Sequence, residues 1–256
     1  MTSGGWAFNM GSIPHKWRIY SFFHLWYGRT AMLGRNGKTK VFCIGLNKTG
    51  TTSWAQAMVD LGYRVGNERA AEIFLDEWAQ KKFARILRFC DSAQAFQDVP
   101  FSLPGMYVKL HQQFPDSRFV LTIRDCAQQW YQSVTRFHAK TWSDDSHCPP
   151  SRRDLENAQY IYKGWPAVFC RQVFQTPLED PYNRDILLKF YRDHAEQAGA
   201  YFSNYPESFL QVNVGAPGAL QKMCAFLGRP YAGGEFPWKN RMPKESGYHA
   251  EPGKRK

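Results

Sequence analysis

The stretch VFCIGLNKTGTTSWAQAMVDLGY, residues 41–63, constrains the fold more than any other. It is introduced by KVFCIG (residues 40–45), a short apolar run closed by glycine, which is the pattern of a strand buried in a parallel sheet. Residues 51–62 carry Trp54, Ala57, Met58 and Leu61 at helical spacing and end at Gly62, so they read as a helix. Strand, glycine loop and helix in that order open a nucleotide-binding α/β unit. Gly45 and Gly50 have the spacing of a nucleoside-triphosphate loop, but that loop places a lysine directly after its second glycine. Here Thr51 holds that position and Lys48 lies two residues before Gly50.

Further βα units follow. Residues 70–89 read as one helix with Ile73, Phe74, Trp78 and Phe83 as its apolar positions, and residues 90–101 contain a short strand or loop ending near Asp98. Residues 104–115 read as a helix stopped by Pro115, SRFVLTIRD (117–125) as a second buried strand, and residues 127–140 as the helix after it. Residues 141–185 read as an irregular insertion rich in proline, aromatics and charge, and an insertion of this length is more often functional than idle. An amphipathic helix (186–202), a third strand (208–214), a helix (217–228) and a loop (235–241) complete the pattern. The expected fold class is α/β, a three-layer α/β/α arrangement with a mainly parallel central sheet, like that of phosphate-loop NTPases. The expected organisation is a basic aromatic leader packed on the core (1–39), a single α/β domain (40–245) and a solvated basic tail (246–256).

A net charge of +11 on 256 residues favours an anionic partner, but charge does not choose between a phosphorylated ligand, a polyanion, nucleic acid and an acidic membrane face. The six cysteines form no C-x-x-C pair, which argues against a zinc ribbon or a thioredoxin-type motif. Cys43 reads as a buried, reduced thiol, and cysteines scattered through a chain of this size suggest a reducing compartment. No segment reaches the roughly 18–20 apolar residues of a membrane span. YSFFHLWYG (20–28) reads as a helix packing on the domain, with a membrane-surface contact as the weaker alternative.

A glycine loop feeding a helix presents backbone N–H groups and the positive end of the helix dipole to an anion. Thr49, Thr51, Thr52 and Ser53 add hydroxyl donors, and Lys48 adds a point charge from the strand side. Such a site suits one terminal phosphate, because no post-glycine lysine reaches across a β,γ-phosphate pair. Arg124 emerges at the C-terminal end of the second strong strand, the edge where open α/β sheets bind ligands, and Ser133 follows on the next helix. An arginine fork with a hydroxyl holds a second phosphate, the alternative for Arg124 being a surface ion pair with Asp125. Two monophosphate sites on one sheet edge fit a nucleotide phosphorylated at both ends of its ribose.

These residues carry a family resemblance. GLNKTGTTS resembles the 5′-phosphosulfate loop of the sulfotransferases, here Asn47, Lys48, Thr49, Gly50, Thr51, Thr52 and Ser53. LTIRDCAQQWYQSV is similar to their 3′-phosphate motif, with Arg124 and Ser133 at the matching positions, and FLGRPYAGGEFPWKN (226–240) to their C-terminal stretch. The three motifs stand in the family's order over roughly residues 40–241. The resemblance implies 3′-phosphoadenosine 5′-phosphosulfate (PAPS) as donor and transfer of its sulfuryl group to an acceptor hydroxyl or amine. Lys48 then stands where charge develops on the departing phosphate, and no metal clamp is required.

The resemblance also implies an acceptor base between the two phosphate motifs. Asp98 is the candidate, its alternative being a loop or capping aspartate. His111 reads as packing or surface, and His138 and His147 as acceptor-contacting or surface. In the cytosolic small-molecule branch a tryptophan directly follows the T-T pair and meets adenine. Here Ser53 takes that place and Trp54 follows, so the adenine contacts differ. That branch's R-K-G tripeptide is also missing, and Lys239 and Arg241 are its candidate replacements near the 3′-phosphate.

The expected partners are PAPS and an acceptor, a small molecule or glycan, with residues 141–185 lining the acceptor pocket and no nucleic acid bound. The expected location is cytoplasmic. Two rivals are a phosphate-loop kinase with Asp125 on magnesium, and a non-catalytic binder of nucleic acid or an acidic polysaccharide.

Overall fold

A computed structural model of the protein describes residues 39–237. The leader to residue 38, including the aromatic stretch 20–28, the chain from residue 238 with Lys239 and Arg241, and the tail lie outside the described residues.

Among the described residues four parallel strands form the sheet: β1 (Val41–Cys43), β2 (Ala95–Phe96), β3 (Arg118–Thr122) and β4 (Phe209–Val212), in the order β2-β1-β3-β4. Among the described residues five helices have eight or more residues. These are α1 (Thr51–Asp60), α2 (Met106–Gln113), α3 (Ala127–Trp142), α4 (Arg184–Phe202) and α5 (Ala219–Phe226). Alternate strand residues face opposite sides, and each side has its own core. Val41, Cys43, Ala95, Val120 and Val212 pack with Trp54 and Met58 of α1 and Met223 of α5. Phe42, Phe96, Phe119 and Leu121 pack with α2, α3 and α4 on the other face. The result is the expected three-layer α/β/α arrangement.

This layering positions the site. β1 has β2 on one side and β3 on the other, and it is followed by α1 on one face of the sheet while β3 is followed by α3 on the other. The chain leaving β1 and the chain leaving β3 therefore diverge, and a crevice opens between them at the carboxyl edge, the switch point of an open α/β sheet. The loops carrying Lys48 and Arg124 flank that crevice.

Two expectations are corrected. The helix expected over 70–89 is several pieces: Glu68–Ala71, a 3₁₀ turn Glu72–Phe74, Leu75–Ala79 and Ala84–Phe89. The break after Ala79 is a Schellman closure. The Lys81 N–H donates to the Trp78 carbonyl, the Lys82 N–H donates to that of Glu77, and Lys81 takes the left-handed φ of 58°. Lysine stands where glycine would announce the stop, so the sequence pattern runs through it. Residues 141–185 are likewise not irregular throughout. They contain helices Arg152–Asn157 and Trp165–Phe169 and a π-helical turn Cys170–Phe174. The first begins at a capping box in which Ser151 and Asp154 exchange hydrogen bonds, a signal present in the sequence. Leu155, Ile161, Trp165, Phe169 and Phe174 are buried in the larger core, so the segment is packed structure rather than a loop.

All six cysteines are free, and Cys43 is the buried thiol expected, with burial pushing it up to about 12. His111 packs among Phe119, Tyr201, Phe202 and Tyr205, as expected. No helix among the described residues is long and apolar enough to cross a membrane.

Phe42 is the centre of the larger core. Its ring lies 5.5 Å from those of Phe96 and Phe119 and within 6.1 Å of Phe101 and Phe114. Phe42→Ala removes a fully buried ring on a central strand, and chemical denaturation is expected to show a loss of about 3–5 kcal/mol.

Candidate active site

The loop between β1 and α1 is held by its carbonyl groups, three of them bonded from outside and one from within. His194 of α4 donates from Nε2 to the Ile44 carbonyl at 2.7 Å. The Trp130 indole of α3 donates to the Asn47 carbonyl at 3.0 Å, and Arg124 Nε donates to the Lys48 carbonyl at 2.7 Å. The Thr49 hydroxyl donates to the Leu46 carbonyl at 2.6 Å. Gly45 is required because a Cβ there would lie 2.7 Å from the Thr122 backbone nitrogen. Gly50 combines a φ of 101° with a Cβ position blocked by Val214.

With the Ile44, Asn47 and Lys48 carbonyls turned to the scaffold, the N–H side of the loop is left for a ligand, apart from the Ile44 N–H, which donates to the Val120 carbonyl at 2.9 Å, and the Thr49 N–H, which donates to that of Leu46 at 3.2 Å. Lys48 (φ 68°) and Gly50 are both left-handed, and α1 starts at Thr51 with first-turn N–H groups that have no acceptor within the helix. Successive N–H groups around left-handed residues, ahead of a helix N-terminus, make an anion-binding concavity.

The hydroxyls expected to join it divide. Thr49 does not serve as a ligand donor. Its one hydroxyl hydrogen goes to Leu46, its oxygen faces the Thr122 hydroxyl at 2.6 Å, and it is fully buried. Thr52 is exposed on the first turn of α1, and Ser53 is buried. Thr51 is buried and donates to Asp98 Oδ2 at 3.3 Å. Trp54 is fully buried in the core beneath the sheet.

Asp98 follows β2 in a left-handed conformation (φ 55°), at the same sheet edge as Lys48. The residue as a whole is half-buried, but Oδ1 is buried with no hydrogen-bond partner. Burial raises the carboxyl to about 8, and Glu68 and Glu72 add to the effect. The Thr51 hydroxyl and Lys48 pull the other way. Burial also lowers Lys48, opposed by Asp98 and reinforced by Arg124. The Lys48 ammonium rests 3.5 Å from the centroid of the Phe137 ring.

Arg124 is half-buried beyond β3, with its backbone N–H donated to the Tyr191 hydroxyl at 2.8 Å. Its bond to the Lys48 carbonyl ties the two expected phosphate sites together. The alternative ion pair with Asp125 does not form, because amides hold that carboxylate: Gln129 at 2.9 Å and Asn213 at 2.5 Å. Ser133 is half-buried on α3, three residues after Trp130 and four before Phe137. Both of those residues touch the loop, so Ser133 lies on the helix face turned to it.

His138 is neither surface nor free. It is buried, with Nδ1 2.9 Å from the Tyr182 hydroxyl, and burial beside Lys48 pushes it down to about 3. His147 is exposed. Among the described residues no group of three or more His, Cys, Asp or Glu side chains is arranged to hold a metal.

Several contributors escaped sequence reasoning. Trp130 lies inside the second motif, and its signal was that a buried indole N–H needs an acceptor. Glu68 and Glu72 gave none, since their effect on Asp98 depends on which helix face packs under β2. The middle insertion reaches the same place. Tyr160 donates to Glu72 Oε1 at 2.9 Å, and the Trp165 indole to the Glu72 carbonyl at 3.3 Å.

Comparison with known proteins agrees with this architecture. A search of curated proteins finds no match. The family model described as the sulfotransferase domain matches residues 40–244, which take in the glycine loop, Asp98, Arg124 and Ser133. The chain belongs to the sulfotransferase family.

Proposed function

We propose that the protein transfers a sulfuryl group from PAPS to an acceptor hydroxyl or amine, with Lys48 and Asp98 as the catalytic residues. The observation that carries this reading is the bond from Arg124 Nε to the Lys48 carbonyl, which joins a phosphate-binding loop and an arginine fork across one crevice. Two anion sites so joined match a nucleotide with phosphates at both ends of its ribose.

When bound, the donor supplies a sulfuryl group whose S–O bond to the 5′-phosphate breaks as a new bond forms from sulfur to the acceptor's oxygen or nitrogen. The residues of the chain do the rest. The loop N–H groups, with Asn47, Gly50, Thr51, Thr52 and Ser53 around them, receive the 5′-phosphate. Lys48 meets the charge that grows on its leaving oxygen, where a fixed donor is most effective. Arg124 and Ser133 take the 3′-phosphate, and Lys239 and Arg241 are assigned to its outer side. Asp98 accepts the acceptor's proton. The acceptor, a small molecule or glycan, enters beside the insertion that reaches Glu72. A cytoplasmic location and the lack of a metal requirement belong to the same reading.

Titration calorimetry with adenosine 3′,5′-bisphosphate in magnesium-free buffer tests the donor. Binding is expected, with loss in Arg124→Ala; magnesium-dependent ATP binding in its place would overturn the reading. Lys48→Ala is expected to lower turnover by about 10²–10³ while the bisphosphate still binds.

The raised carboxyl of Asp98 sets a pH dependence. A base must lose its own proton first, so kcat/KM is expected to rise as pH passes about 8, and Asp98→Asn to abolish this rise along with most turnover. The same shift acts on stability. The folded carboxyl lies above the ordinary 3.8, so its contribution is full below that value and is lost as pH rises through about 8. Denaturation of the Asn variant between about pH 4 and 8 is expected to lack this decline.

A further inference from the structure

Phe137 differs from its neighbours on α3. Trp130, Val134 and His138 are buried, whereas the Phe137 ring is 43% exposed. A single exposed phenylalanine needs no explanation, but its contact does. Lys48 Nζ lies 3.5 Å from the ring centroid, well inside the roughly 6 Å range of cation–π attraction. Among the described residues no carboxylate forms an ion pair with this ammonium.

The lysine is therefore held along its whole length. Its backbone is left-handed, its carbonyl takes the Arg124 Nε–H, and its ammonium lies on the ring. The choice of ring over carboxylate has a chemical consequence. A carboxylate would offset the positive charge and occupy the ammonium hydrogens. A ring face restrains the chain yet leaves the charge whole and N–H donors available for a ligand. A free lysine chain samples many rotamers, and restraining it beforehand is the entropic part of pre-organisation.

We propose that Phe137 is the positioning residue for Lys48, its ring face holding the ammonium over the anion-binding loop before the donor arrives. The proposal rests on the sulfotransferase reading of Lys48 given above. Through it α3 sets both ends of the loop's chemistry: Trp130 fixes the backbone at Asn47 and Phe137, two turns later, fixes the tip of Lys48.

The test uses the full chain labelled with ¹³C at lysine Cε, with Lys48 assigned from Lys48→Arg. Ring current is expected to move the Lys48 signal upfield, Phe137→Leu to remove that shift, and Phe137→Tyr to keep it. Turnover is read without an acceptor, as labelled sulfate released from PAPS to water, and affinity by titration with adenosine 3′,5′-bisphosphate. Phe137→Leu is expected to lower turnover about tenfold with bisphosphate affinity unchanged, and Phe137→Tyr to restore it. A shift that survives in the leucine variant, wild-type turnover in that variant, or a tyrosine variant as slow as leucine would overturn the positioning role. A wild-type chain that neither binds the bisphosphate nor releases sulfate would instead overturn the donor assignment, and the role of Phe137 with it.

Discussion

The site depends on how the carbonyls between Ile44 and Lys48 are held. Those of Ile44, Leu46, Asn47 and Lys48 accept hydrogen bonds from His194, Thr49, Trp130 and Arg124. A loop rich in glycine has many conformations of similar energy, and these bonds select one. The dependence runs both ways. Trp130 and His194 are buried, and each would carry an orphaned N–H without its carbonyl, at about 1–3 kcal/mol apiece. Packing of α3 and α4 on the sheet thus requires the loop conformation that leaves the N–H groups around Lys48 and Gly50, other than that of Thr49, for an anion.

The same packing sets the electrostatics. Asp98 and Lys48 reach one sheet edge from β2 and β1, and burial pushes each toward its neutral form. Their mutual attraction opposes that effect. Burial is the larger influence on both, and Glu68 and Glu72 reinforce it for the carboxyl as Arg124 does, more weakly, for the lysine. Glu72 is itself raised to about 7 by burial, despite Arg69 beside it and a hydrogen bond from Tyr160. The proton affinity of Asp98 is thus linked through Glu72 to the insertion between α3 and α4. In the proposed reaction, a change on the acceptor side would be felt by the base.

Much of the fold was legible in sequence because its signals are local. The apolar runs of β1 and β3 mark strands buried on both faces, and the periodicity of α1, α3 and α4 marks helices. Two boundaries escaped for definite reasons. Lys81 closes a helix with glycine's geometry but not its identity, and residues 141–185 hide short helices among prolines and aromatics that face the core. Thr49 shows the limit of motif reading. It stands among the loop hydroxyls in sequence, yet its side chain closes the loop from within.

The sequence by itself determined the residue types and their order: a glycine loop with its lysine before the second glycine, an arginine at the end of the next strong strand, and an aspartate between them. Backbone sterics and side-chain chemistry are local properties, so they can be read along the chain. Only the tertiary structure decided that Lys48 and Arg124 are bonded, that Asp98 is desolvated beside two glutamates, and that an exposed ring meets the lysine ammonium. Those facts depend on strand order and on the sheet face each helix takes, which bring together residues 76 and 89 positions apart in the chain.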